Sequence, residues 1–243
     1  MHTKLRTLKL FRQKRRIVIG RRKKELEIER ELKTIEEMHG PKENIPKLLL
    51  KQAFEENEIE TIKVLLNAGG NIHEIISEDG KTLLHLAAQT GNIELLEVLL
   101  SLNNKDNVVN IFKDTIRVHK IEYIKKGQKI VKYDEYNCLH TICGHFTNNV
   151  EIVSCLLNHC ISKYEKNKLI NSKTKQNKDT PLHLSCKYNN DKLVKYLLRH
   201  NANYWCKDHI GRTALDVAYT FNNINCVNAF EDYYRNKGIA GSP

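Results

Sequence analysis

Asp179-Thr180-Pro181-Leu182-His183-Leu184-Ser185-Cys186, followed by Leu193-Val194-Lys195-Tyr196-Leu197-Leu198, decides how this chain is read. Variants of it return at four other places. Asp79 to Leu100 reads D-G-K-T-L-L-H-L-A-A-Q-T-G-N-I-E-L-L-E-V-L-L. Asn137 to Leu157 holds N-C-L-H-T-I-C and then V-E-I-V-S-C-L-L, and Gly211 to Ala218 reads G-R-T-A-L-D-V-A. Leu48 to Ala53 with Ile62 to Leu66 fits the template more loosely.

The spacing is regular. His183 precedes Leu198 by 15 residues and His85 precedes Leu100 by 15; Thr180 and Thr213 are 33 apart. A T-P-L-H-x-A signature returning at this period marks units that cannot bury an apolar face alone and must stack on their neighbours. Over roughly residues 47 to 230 the chain resembles the ankyrin-repeat family. The resemblance implies an all-α solenoid of about five helix-turn-helix units joined by short β-hairpin fingers, in a domain over 45–236 with a tail at 237–243.

Charge divides the chain. Residues 1–24 hold eleven Lys and Arg and no acidic residue, whereas the remainder balances 29 basic against 29 acidic residues, so the net +11 belongs to an N-terminal arm, 1–40. Arg12-Gln13-Lys14-Arg15-Arg16 and Arg21-Arg22-Lys23-Lys24 are its two clusters. Four readings stay open for them: a solvated arm, a nuclear-import signal, contact with nucleic acid or an anionic membrane through residues 1–24, and a mitochondrial presequence. No run of about 18 apolar residues is present, which argues against a membrane-spanning helix. Seven cysteines without a paired framework fit reduced thiols, so a cytoplasmic or nuclear protein is expected.

The units are not equivalent. In the first, Lys51 stands where the family has histidine, and Gly69-Gly70 is expected to close the outer helix with positive φ. His85 and His140 are 55 residues apart, so an insert, 104–133, separates the second and third units. It holds eight Lys or Arg against three acidic residues. It either pairs as a hairpin around Lys126-Gly127-Gln128 or extends the preceding helix. A smaller basic insert, 161–175, precedes the fourth unit. In the fifth, Asp216 replaces the histidine.

His85, His140 and His183 occupy the same place in each unit, which points to structure rather than catalysis; the resemblance implies that each ties its helix to the next finger. Cys138, His140, Cys143 and His145 are zinc-ligand types, but their spacing matches neither C-x₂-C nor H-x₃₋₅-H. Phosphate-cradling glycine motifs are absent, and no cysteine has a base and orienting group beside it. No catalytic residue, cofactor or metal is therefore expected.

What remains is recognition. By position in the repeat, the resemblance implies a concave wall of inner helices and fingertips that contacts another protein. Its candidate residues are Glu78, Asp79, Lys81, Gln89 and Thr90; Tyr136 and His145; Gln176, Asn177, Asp179, Lys187 and Tyr188; and Trp205, His209, Ile210 and Arg212. Tyr188 leads, because aromatic side chains carry binding energy well. The expected role is a non-enzymatic adaptor or inhibitor. The alternatives are a nuclear regulator of a transcription factor, as inhibitors of Rel-type factors are, or binding of a polyanion through the arm.

Overall fold

The computed structural model describes Leu26, Arg30 and residues 47–67, 70–77, 80–102, 116–125, 128–144, 149–160 and 162–238. The rest of the basic arm, Glu78, Asp79, His145 and the last five residues lie outside the described residues. The chain forms two compact units, residues 1–71 and 72–243.

In the first unit, α1 (Lys47–Glu55) and α2 (Ile59–Asn67) pack as an antiparallel pair that buries Leu50, Ala53, Ile62 and Leu65. Asn57 turns the chain between them at φ 54°, a left-handed conformation asparagine tolerates. Gly70 does not have the expected positive φ. Its lack of a side chain matters for space instead, since a Cβ there would lie 2.8 Å from the Leu65 carbonyl oxygen.

The second unit repeats one plan four times. The inner helices are α3 (Leu83–Thr90), α5 (Cys138–Cys143), α8 (Pro181–Lys187) and α10 (Ala214–Thr220). The outer helices are α4 (Ile93–Ser101), α6 (Val150–Asn158), α9 (Asp191–Arg199) and α11 (Ile224–Lys237). Each inner helix packs on the next inner helix and each outer helix on the next outer one. The sequence imposes this by burying Leu193, Val194, Leu197 and Leu198 of α9, and the matching residues of α4 and α6, on one stripe. Full burial of each such side chain stabilises by about 1.5–3 kcal/mol. Small residues let the inner helices approach: Ala88, Cys143 and Cys186 fill equivalent positions and are fully buried.

Inner helices start at a cap residue in extended conformation. The Thr180 hydroxyl and the Asn137 side chain accept from the N–H groups of His183 and His140, and Thr213 does the same for Asp216. Pro181 suits the first turn, where its missing N–H costs nothing.

Between the second and third helix pairs the insert forms a hairpin. β1 (Ile116–Lys125) runs antiparallel to β2 (Gln128–Tyr136), with Lys125 opposite Gln128 and an irregularity between Val118 and Lys120. The ribbon is longer than the alternation from Ile121 to Tyr133 suggests, and it excludes an extended outer helix. Isoleucine, valine and tyrosine at Ile116, Val118, Ile121, Tyr123, Ile130, Val131 and Tyr133 favour strand over helix. The 161–175 insert contains a helix, α7 (Lys163–Ile170), started by Ser162 and Glu165 capping each other's backbone N–H groups. No helix among the described residues is long and apolar enough to cross a membrane.

Candidate partner-binding surface

Hydrogen bonds between successive units fix the inner face. The Nδ1 atom of His140 accepts from the Asn137 N–H (3.3 Å), so Nε2 carries the proton and donates to the Ser172 carbonyl at 3.1 Å. His183 repeats this with Thr180, and its Nε2 donates to the Arg212 carbonyl at 3.1 Å. Burial pushes the His140 imidazole down to about 4 and lowers that of His183. Both rings are neutral ties with both nitrogens engaged, which leaves His140 no lone pair for a metal. Among the described residues no group of three His, Cys, Asp or Glu side chains is arranged to hold a metal ion.

The fingers are joined as well. The buried Asp134 carboxylate, at the end of β2, accepts from the N–H groups of Gln176 (2.8 Å), Asn177 (3.4 Å) and Glu135 (3.1 Å). Glu135 meets Lys175 at 2.6 Å. The Asn177 carbonyl in turn accepts from the His209 N–H at 2.8 Å. These bonds hold three consecutive fingers in one register. In the last, Asp208 accepts from the Ile210 and Arg212 N–H groups and from Arg212 Nε (2.8 Å). Burial opposes ionisation of Asp208, but those donors outweigh it and leave its carboxyl below the usual carboxylate range.

The residue just before each inner-helix cap forms a row: Lys81, Tyr136, Asp179 and Arg212. Two of these are recessed. Tyr136 is 4% exposed and Asp179 7%. Tyr136 sinks because Gly144 at the end of α5 has no side chain; a Cβ there would meet the tyrosine Cε2 at 3.2 Å. Its ring lies 5.8 Å from that of His140. Burial pushes the Tyr136 hydroxyl far above its ordinary value, with Tyr188 and Asp179 adding to the effect. Burial also lifts the Asp179 carboxyl to about 6, against a downward pull from Lys187. Tyr188, the half-buried C-cap of α8, is raised by burial and by Asp179. Lys187 Nζ lies 5.6 Å from the Tyr188 ring centroid.

Tyr136, Asp179, Lys187 and Tyr188 therefore share one recessed polar patch. Gln176, Asn177, His209, Ile210 and Arg212 form the adjoining fingertips, where His209 and Ile210 are exposed. Gln89 is half-buried at the end of α3, and the exposed Thr90 turns its hydroxyl back to the Leu86 carbonyl at 2.8 Å. Lys81 has its N–H on Ser77 Oγ at 2.8 Å. Trp205 belongs elsewhere: it is 58% exposed and stacks obliquely on Tyr204, whose ring meets Tyr233 and Tyr234 of the outer helix α11.

Asp134 was not among the sequence candidates, although a lone aspartate ending an alternating run is a signal for a strand-end clamp. The asparagines that open the outer helices were also passed over. Asn190 Nδ2 donates to the Cys143 carbonyl (3.1 Å) and Asn223 Nδ2 to the Cys186 carbonyl (2.6 Å), each reaching back one unit.

Two family models match the chain, "Ankyrin repeats (3 copies)" over residues 139–237 and "Ankyrin repeats (many copies)" over 50–100. No curated protein matches it. With more than half of the sequence covered by these matches, and with histidine ties and finger-to-finger bonds joining its helix pairs, the chain belongs to the ankyrin-repeat family.

Proposed function

We propose that this protein is a non-enzymatic adaptor or inhibitor that grips another protein on the concave face made by its inner helices and fingertips. Ankyrin repeats mediate protein–protein interaction. The observation that carries the reading is the rigid side-chain display around Tyr188. The Asp134 clamp and the His183 tie fix the fingers on either side of it, so contact residues are held in place before a partner arrives. Pre-ordering of this kind lowers the entropic cost of binding. Seven free thiols support a cytoplasmic or nuclear setting.

The test replaces Tyr188, Lys187 and His209 together with alanine. Partner capture is lost while helicity by circular dichroism stays unchanged. Capture undiminished in this variant would reject the surface.

A further inference from the structure

Asp179 is an anomaly on this wall. Its N–H donates to Thr174 Oγ1 at 3.0 Å, yet among the described residues its carboxylate accepts no hydrogen bond. The charged neighbours that act on it are otherwise engaged. Arg212 Nε is bound to Asp208 at 2.8 Å, and the Asp134 carboxylate is filled by three N–H groups. Lys187 lies over the Tyr188 ring. A second unmet group sits on an inner helix of the same wall: Gln89 Oε1 is buried without a hydrogen-bond partner among the described residues. Leaving a recessed carboxylate without a donor costs stability, and a ligand that supplies donors recovers that cost on binding.

We propose that Asp179, backed by Tyr136 and flanked by Tyr188, is the receptacle for an arginine side chain of the bound protein. The inference rests on the reading above in taking the inner wall as the contact face. Arginine fits better than lysine for two reasons. Its planar fork offers two N–H donors to one carboxylate, and the same plane stacks on an aromatic ring such as Tyr188. A neutral amide lacks the positive charge that strengthens the pair, and an ionised acidic group has no donor at all. Because Asp179 takes up a proton below about 6, occupancy falls as the pH drops through that value. The groups acting on it are Tyr136, Tyr188, Lys187, Asp134, Asp208 and Arg212.

The experiment uses the full chain, ¹⁵N-labelled, titrated with N-acetyl-arginine methylamide and followed by amide chemical shifts. N-acetyl-lysine methylamide and the uncharged isostere N-acetyl-citrulline methylamide serve as controls. Arginine moves amides between Asn177 and Tyr188 with a Kd on the order of millimolar, lysine does so more weakly, and citrulline leaves them still. Asp179→Asn weakens the arginine effect at least about tenfold, the scale of one charge-assisted hydrogen bond, whereas Asp191→Asn on α9 does not. Unshifted spectra elsewhere in Asp179→Asn show that it is folded, and Tyr188→Ala gives a second reduction. Equal shifts with citrulline, shifts centred elsewhere, or an undiminished Asp179→Asn response would each overturn the proposal. Loss of the arginine response with partner capture intact on the wall defeats the receptacle alone. Arginine seated at Asp179 with a partner held on the outer helices defeats the wider reading.

Discussion

His183 Nε2 and the Arg212 carbonyl oxygen, 29 residues apart in sequence, lie 3.1 Å from each other. That bond joins the inner helix of one unit to the base of the next finger. In the last unit no following finger exists among the described residues, and Asp216 stands in the histidine's place. Its carboxylate accepts from the Thr213 N–H and hydroxyl, both at 2.7 Å, and so closes the cap locally. Asp216 thus departs from the histidine of the three preceding units where no next finger follows among the described residues.

The same logic gives opposite outcomes for two substitutions. His183→Ala removes a buried imidazole together with its bond to the Arg212 carbonyl, which keeps only the Asp208 N–H, and destabilises by about 1–3 kcal/mol, read from the urea midpoint at constant slope. Asp216→Ala loses only an exposed cap and costs about 0.5–1 kcal/mol. A larger loss for Asp216 than for His183 would contradict the assigned ties.

Asp179 and His140 make pH dependence a test of the inner face. Asp179 is raised from 3.8 to about 6 in the folded chain, so the folded state binds its proton first between those values. Its ionised form costs the fold on the order of 2–3 kcal/mol above about pH 6, and acidification towards 4 relieves that cost. His140 runs the other way. It is lowered from 6.5 to about 4, so the unfolded chain protonates first and stability is lost as pH falls across that window. Asp179→Asn should therefore be more stable than the parent at neutral pH, by up to about 2–3 kcal/mol, and should lose stability more steeply on acidification. Urea titrations between neutrality and about pH 4 decide the matter. A less stable Asp179→Asn at neutral pH means that the carboxylate has donors after all.

Asn190 is buried and its amide reaches the Cys143 carbonyl. Asn190→Ala removes the donor, leaves that carbonyl unmet, and lowers stability by about 1–3 kcal/mol. Native-state hydrogen exchange localises the loss: amides of α5 and α8 open sooner, while those of α11 keep their protection relative to the global midpoint.

The repeat and its helix pairs were legible because period, cap residues and the leucine stripe are local signals that all point the same way. His140 and His183 were legible as ties for the same reason. Less visible were the left-handed turns. Asn189 and Asn222 adopt φ near 55° at the position Gly91 fills, and Lys178 takes φ 58° at a fingertip where Gly80 and Gly211 stand. Asparagine-asparagine at 189–190 and 222–223 does the work of Gly91-Asn92, a substitution a glycine-based search overlooks. The hairpin was readable only as one of two options, because Ile121 to Tyr133 alternates imperfectly and register is set by pairing across the strands. The depth of Tyr136 and Asp179 was invisible, since it depends on Gly144 making room and on Asp134 drawing in the neighbouring finger. Those are relations between units, which no single unit records.

The most direct test places a photo-crosslinking phenylalanine derivative at Tyr188 on the inner face, and separately at the exposed Lys192 on the outer helix α9, in otherwise unaltered protein. With the partner bound and irradiated, a covalent adduct forms from position 188 and not from 192. Adducts from 192 with none from 188 would contradict the account.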